Sequence, residues 1–336
     1  MLCYIGTYTK LGGPGVAVVR EENGRLELLH TDASIKDPIF AMLSRDDSTL
    51  YVTGTDPETG DGIAATYTVD GEKIKLTSMV PTHGSDVCHA TLSADERFLY
   101  VANYATGCIT AFPTNAGKLQ PDIQHIVHKG SGPSLPRQDA AHTHQCLFRP
   151  ETNELFVCDL GMDTVFIYEQ DPQSGLLSEK AQIVTEPGMG PRHIAFAGKD
   201  EFYLVGELDC HAAHYRLIDG EWRCQQRIPL LPADFKTKNT SAAIRLRERK
   251  LYVSNRGHDS VCVIDLAEDG SMSYSTHLSS HGQAPRDFDF TPEGRLIFAN
   301  QNGGGVVVDG GDALPINGAV CVCLPHSFWF QCTPEF

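Results

Sequence analysis

The chain has 336 residues, which allows two or three ordinary domains or one large β domain. Its 41% apolar and 21% charged content is ordinary for a globular protein, and a formal net charge of −16 argues against a nucleic acid as the main partner. No apolar run reaches the roughly eighteen residues of a membrane span, so no membrane partner is expected.

The opening stretch MLCYIGTYTK lacks the basic start and apolar middle of a signal peptide, and its alternation reads as a strand. Within it begins a signature that recurs along the chain: an apolar or aromatic pair followed by small or polar residues. It appears as YIGT at Tyr4, YVTG at Tyr51, YVAN at Tyr100 and FVCD at Phe156. It continues as YLVG at Tyr203, YVSN at Tyr252 and IFAN at Ile297. Successive anchors lie 47, 49, 56, 47, 49 and 45 residues apart. Turn signals such as SRDDST, SADERF, RPETNE and TPEGR come before anchors, and β-rich runs such as CITAF, DTVFIYE and DSVCVID follow them. Four short strands fit one such repeat, the size of a propeller blade. The expected fold is therefore all-β: a seven-bladed β-propeller of four-stranded antiparallel blades around a central axis. A β-solenoid or a pair of sandwiches is the alternative, but neither needs seven equal units.

A propeller must close its ring. The N-terminal strand is expected to join a blade whose other strands come from the C-terminal end, near GAVCVCLP. Residues 1–325 form the propeller domain, and the tail HSFWFQCTPEF, residues 326–336, is given no element. The eleven cysteines contain no CxxC pair, and Cys158, Cys262 and Cys321 sit in apolar strands. They read as reduced core residues of a cytoplasmic protein.

Equivalent positions of the repeat converge on a propeller axis. Eleven residues before the anchor stand Phe40, His89, Arg192, Ser241 and Arg286, with His144 at twelve in the longest repeat. Four residues after the anchor stand Tyr8, Thr55, Tyr104, Leu160, Glu207, Arg256 and Gln301. The first set puts His89, His144, Arg192 and Arg286 in one ring, and the second puts Tyr104, Glu207, Arg256 and Gln301 in another. Arginine matches the geometry of carboxylate or phosphate with a rigid fork of donors, and histidine supplies a base near neutral pH. For any one residue the plain alternative is a strand-end group satisfying nearby backbone or buried water. The shared register favours a site. His193, one residue past the ring, is expected to face the blade interior. His211 and His214 point to opposite faces of a strand, which suits structural roles better than a metal. No HExxH motif and no cysteine cluster occur, so neither metal nor cofactor is expected. No GxSxG elbow occurs, which argues against an acyl-enzyme.

These stretches also resemble a known family. YIGTYT, CHATLSADERFLYVANYATG, HTHQCLFRP, GMGPRHIAF, GELD, YVSNRGHDSV and APRDFDFTPEGRLIFANQN are similar, in order, to the lactonase family of seven-bladed propellers. Its members include the propeller type of 6-phosphogluconolactonase and carboxy-cis,cis-muconate cyclase. The resemblance runs from Tyr4 to about Asn302. It implies an active site of one His, two Arg and one Glu: His144 of HTHQ, Arg192 of GPRH, Glu207 of GELD and Arg256 of SNRG. Arg286 of PRDF matches a further position near the ligand, and His142 is an alternative to His144 two residues earlier on the same strand face. His89, His142, Tyr104 and Gln301 join Arg286 as expected substrate contacts. The implied reaction is hydrolysis of a small anionic lactone, 6-phospho-D-glucono-1,5-lactone, to 6-phosphogluconate. His144 or Glu207 is expected to activate the water, or Glu207 to fix the imidazole. Arg192 and Arg256 would meet the oxyanion or product carboxylate, and Arg286 the phosphate. A muconate cycloisomerase using the same cationic cleft is one alternative, and a non-enzymatic interaction platform is another.

Overall fold

A computed structural model describes residues 1–326. All seven anchors fall on the second strand of a blade, counted from the strand nearest the axis. In the second blade, for example, Lys36–Leu43 pairs with Thr49–Thr55, which pairs with Gly62–Asp70, which pairs with Lys73–Pro81. The later blades begin on Val87–Leu92, Thr143–Phe148, Pro191–Gly198, Thr240–Arg247 and Gln283–Phe290. Side chains chelate the turns that the sequence marks. Ser44 Oγ donates to Asp46 Oδ1 (2.7 Å) and accepts from Thr49 N (2.9 Å), and Ser93 with Asp95 and Phe98 repeats the device.

Alternation along each strand sends apolar residues into the interfaces between blades, where they form successive clusters around the ring. Most anchors are fully buried there, and two reach across to the next blade: Tyr100 donates to the Gly175 carbonyl (2.7 Å) and Tyr203 to the Gly270 carbonyl (2.9 Å). Gly175 has φ +75°, and a Cβ there would stand 2.3 Å from the Phe98 ring, so the interlock needs glycine.

Seven antiparallel sheets are present, as the repeat predicts, with two local departures. The third blade splits its outer edge into Lys118–Leu119 and Gln124–Val127, both paired to Cys108–Asn115, and so has five strands. The closure also differs from expectation. Only Ala319–Cys323 comes from the C-terminal side, and it is the innermost strand; Leu2–Thr7, Val16–Glu22 and Arg25–Asp32 complete that blade. The reason lies in the first anchor. Tyr4 occupies a second-strand position, so the chain begins without an inner strand and takes one from its other end. Thr9–Leu11 and Leu160–Met162 are short 3₁₀ turns, and no helix among the described residues is long and apolar enough to cross a membrane. His326 caps the closing region by donating from its backbone N to Asp47 Oδ1 (2.8 Å). The rest of the expected tail, residues 327–336, lies outside the described residues.

All five residues of Ala319–Cys323 are buried. A chain cut after Gly318 therefore loses several side chains worth roughly 1.5–3 kcal/mol each when large, and its melting temperature should fall by on the order of 10 °C or more. An unchanged cooperative transition in calorimetry would show that this strand does not close the ring.

Candidate active site

Backbone irregularity aims the site. In all seven blades the pairing of the innermost strand with the second slips register, and the slip brackets Cys88, His144, Arg192 and Arg286 in four of them. A bulge breaks the two-residue alternation, so adjacent residues on either side of it can both face the axis. The four bulged residues form an upper tier. The residues after them, His89, Gln145, His193 and Asp287, form a lower tier around a chamber of about 50 Å³ that Arg192, Arg245 and Arg286 also line.

This geometry revises three expectations. His89 belongs to the lower tier, because the hairpin between Val87–Leu92 and Phe98–Asn103 is one residue longer than the one after Arg192. His89 stacks on Phe40 with ring centroids 4.2 Å apart. His193 faces the axis instead of the blade interior, with its ring 5.1 Å from that of His144 and 5.6 Å from that of His89. His142 precedes the strand, and the bulge removes it from the face of His144. It stacks on Tyr104 (4.6 Å) and its Nδ1–H donates to the Tyr104 carbonyl oxygen (2.9 Å).

Above the upper tier opens a cleft of about 300 Å³. Tyr8, Tyr104, Arg137, His144, Glu207, Arg256 and Arg286 line it, with Lys10, Asp86 and Thr240 among the remaining wall residues. Of the expected residues, His89 and Arg192 lie at the chamber below, His142 packs on Tyr104, and Gln301 stands in a separate cavity beside Asn302–Gly305 and Leu11. Its strand, Leu296–Gly303, runs on beyond the point where the equivalent strands end at Asn103 and Gly206, and this carries Gln301 off the axis.

At the centre is the carboxylate of Glu207, buried to 3% exposure. Its Oε2 accepts from Arg192 Nε (2.9 Å) and pairs with Arg256 Nη2 (2.8 Å), and its Oε1 accepts from Arg137 Nη2 (2.5 Å). Burial works to raise its pKa. The guanidiniums of Arg256 and Arg192, then His144 and Arg137, outweigh burial and hold it well below the usual carboxylate range. Arg192 is 2% exposed beneath this carboxylate, so it supports the cleft from below instead of lining it. His144 Nε2 lies 3.9 Å from Glu207 Oε2, too far for a hydrogen bond. Burial and then Arg192 hold the His144 imidazole well below its ordinary pKa, and its Nδ1 is buried without a hydrogen-bond partner. Arg286 makes no ion pair with a carboxylate among the described residues; its guanidinium lies over the Tyr8 ring (5.5 Å). Below, Arg245 donates to Asp287 (2.8 Å), while burial pushes Asp289 up to about 6 against the pull of Arg245.

His211 and His214 take structural places. His214 is buried against Glu201 (2.6 Å) and stacked on Tyr203, and His211 lies beside Asp209. No group of three or more His, Cys, Asp or Glu among the described residues is arranged to hold a metal ion. Arg137, Arg245 and His193 are the site residues that the register missed. The one signal for Arg137 is the 56-residue anchor step, which marks an insertion.

The tier sets an acid sensitivity. Burial, then Arg245 and Arg192, push His89 down to about 3, and burial with Arg192 holds His144 and His193 well below 6.5. These histidines are neutral when folded and take up protons when unfolded below about pH 6.5. Stability is therefore present above that pH and lost as pH falls below it, by about 1.4 kcal/mol per unit for each histidine. Asp289, raised in the fold, acts in the opposite sense near pH 6 and offsets roughly one of the three. Urea denaturation should show stability dropping between pH 6.5 and 5, with a slope shallower by about one proton in His89→Gln. A flat profile would mean that these imidazoles are charged in the folded protein.

The sequence matches the family described as "Lactonase, 7-bladed beta-propeller" over residues 2–309. It is 33% identical over 319 residues to the 6-phosphogluconolactonase of Bacillus subtilis, spanning 91% of this chain and 89% of that protein. Among solved structures, a protein from Lactobacillus plantarum superposes with a TM-score of 0.88 at 29% identity, covering 96% of this chain and 99% of that one. The periplasmic gluconolactonase of Pseudomonas aeruginosa superposes at 0.87 and 28% identity, with coverage of 96% and 98%. With the seven blades, the axial cleft and this match in hand, the chain belongs to the lactonase family of seven-bladed β-propellers.

Proposed function

We propose that this protein hydrolyses a sugar-acid lactone, 6-phospho-D-glucono-1,5-lactone, to 6-phosphogluconate in the axial cleft. The observation that carries this reading is a neutral, buried imidazole at His144 in one small cleft with the guanidinium of Arg286, which meets no carboxylate among the described residues. The B. subtilis relative carries the name of this activity.

His144 is the base. Glu207 is ionised, but its oxygens are committed to Arg137, Arg192 and Arg256, which oppose its protonation. It acts as a positioning residue that fixes those arginines, not the imidazole. A water gives its proton to His144 as its oxygen bonds to the lactone carbonyl carbon. Negative charge develops on the carbonyl oxygen, where Arg256 and Arg286 on the cleft wall stabilise it. The bond from that carbon to the ring oxygen then breaks, and the ring oxygen takes the proton from His144 and leaves as a hydroxyl. The acid product ionises and releases one proton to solvent. Arg286, expected at the phosphate, is assigned to the oxyanion because it lines both the cleft beside His144 and the chamber below. A cytoplasmic setting fits the ten described cysteines, all unpaired and nine of them buried.

The test is lactone hydrolysis followed above the spontaneous rate. Arg256→Lys keeps the charge but replaces the planar fork with a point donor. The variant should lose roughly 2.7–4 kcal/mol of transition-state stabilisation, a drop of about 10²–10³ in kcat, with a melting temperature close to that of the parent. Full activity in this variant would remove Arg256 from the chemistry.

A further inference from the structure

Arg137 stands outside the seven-fold repeat, on the segment between Gln124–Val127 and Thr143–Phe148. That segment is irregular but firmly seated. His128 bridges Asp159 Oδ2 (2.7 Å) and the Tyr168 hydroxyl (2.8 Å). Gln138 is fully buried. Its Nε2 donates to the Leu160 carbonyl (2.8 Å) and Asp163 Oδ1 (2.7 Å), and its Oε1 accepts from Ser134 N (2.9 Å). A Cβ on Gly161 would stand 1.8 Å from the Ala140 carbonyl oxygen, so the neighbouring turn packs tightly against the segment. Arg137 is therefore presented at the cleft by a preorganised arm and is not a wandering surface cation.

Its guanidinium is only partly used. One nitrogen, Nη2, serves both Glu207 Oε1 (2.5 Å) and the Tyr104 hydroxyl (3.0 Å), while Nε and Nη1 meet no acceptor among the described residues. The side chain is 42% exposed, against 13% for Arg256 and 2% for Arg192. It stands at the mouth, while His144 and Arg286 sit deeper. In a 1,5-lactone whose carbonyl lies against His144 and Arg286, the C6 arm leaves the carbon next to the ring oxygen, and its exocyclic reach can carry a terminal phosphate toward that mouth. Asp86 on the same wall repels an anion there, and Lys10 is 59% exposed and loosely paired with Asp37 (4.0 Å). Of these three, Arg137 is the cation that is held in place with donors to spare.

We propose that Arg137 reads the distal anionic group of the substrate and sets the preference for a phosphorylated over an unphosphorylated sugar lactone. The inference rests on the lactonase reading. The Tyr104 and Glu207 contacts fix the guanidinium through Nη2, and they leave its charge and the unshared Nε and Nη1 protons for a phosphate to meet without further ordering. An unphosphorylated lactone gains nothing from them.

The experiment compares the full-length parent with Arg137→Met and Arg137→Lys on 6-phosphoglucono-1,5-lactone and glucono-1,5-lactone. Binding of 6-phosphogluconate and gluconate is measured by calorimetry beside it. In Arg137→Met the ratio of kcat/KM for phosphorylated over unphosphorylated lactone should fall about tenfold or more, mainly through KM, and Arg137→Lys should lie between. Affinity for 6-phosphogluconate should fall by a similar factor, with little change for gluconate. An unchanged ratio, or an equal loss on both lactones, would overturn the assignment and leave Arg137 as a support for Glu207. If the parent turns over neither lactone, the lactonase reading fails, and the two product affinities still decide whether Arg137 discriminates the phosphate.

Discussion

The cleft depends on one buried carboxylate. Glu207 takes hydrogen bonds or ion pairs from Arg137, Arg192 and Arg256, which come from an inserted segment, the inner strand of the fifth blade and the second strand of the sixth. Without it, the guanidiniums of Arg192 and Arg256 would face one another in the protein interior, with that of Arg137 at the mouth beside them, and an unpaired buried charge costs several kcal/mol. With it, they are fixed in orientation, and Arg286 is left in the cleft with no carboxylate partner among the described residues. The same cluster explains the histidines. Burial first, and the neighbouring arginines second, keep His144, His193 and His89 neutral, and a neutral imidazole is the form that accepts a proton. The acidic surface, with a net charge of −16, makes this cationic axis a local feature. An anionic substrate is held there by a few placed donors against the field of the whole molecule.

The propeller supplies what the cluster requires. Seven inner strands meet around one axis, so residues far apart in sequence arrive within hydrogen-bond reach. Bulges at the axis break the alternation and let Arg192 and His193, neighbours in the chain, serve the cleft floor and the chamber beneath it. The Gly-Pro turn before Arg192 is pinned by Asp163, which accepts from Gly188 N and Gly190 N (2.8 Å for the latter) and also from Gln138. The arm that carries Arg137 and the strand that carries Arg192 therefore share one support.

Much of this was legible in the sequence, for identifiable reasons. The anchors from Tyr4 to Ile297 announce seven blades because each must be apolar to fill an interface. Counting from them finds His144, Glu207, Arg192, Arg256 and Arg286, since equivalent positions converge. The same count misplaces His89, because a hairpin one residue longer shifts a strand by one step and moves the side chain to another tier. It misreads His193, whose direction is set by a bulge that no residue pattern marks. It brings Gln301 to the axis, although its strand runs longer than the others. Arg137 has no equivalent in other blades, so the repeat does not mark it. The closing strand is foreseen in location but not in number, because Tyr4 as a second-strand residue leaves only one strand to be supplied.

Glu207 is the counter-charge that holds the arginines, not the group that takes the proton. Urea denaturation of Glu207→Gln, an isosteric and neutral change, tests this most directly. If Glu207 neutralises three guanidiniums, its loss should destabilise the fold by about 3–5 kcal/mol, the scale for removing one partner of a buried ion pair, and turnover should fall with it. A variant that keeps the parent's stability within about 0.5 kcal/mol while losing its activity would contradict the account and make Glu207 the base.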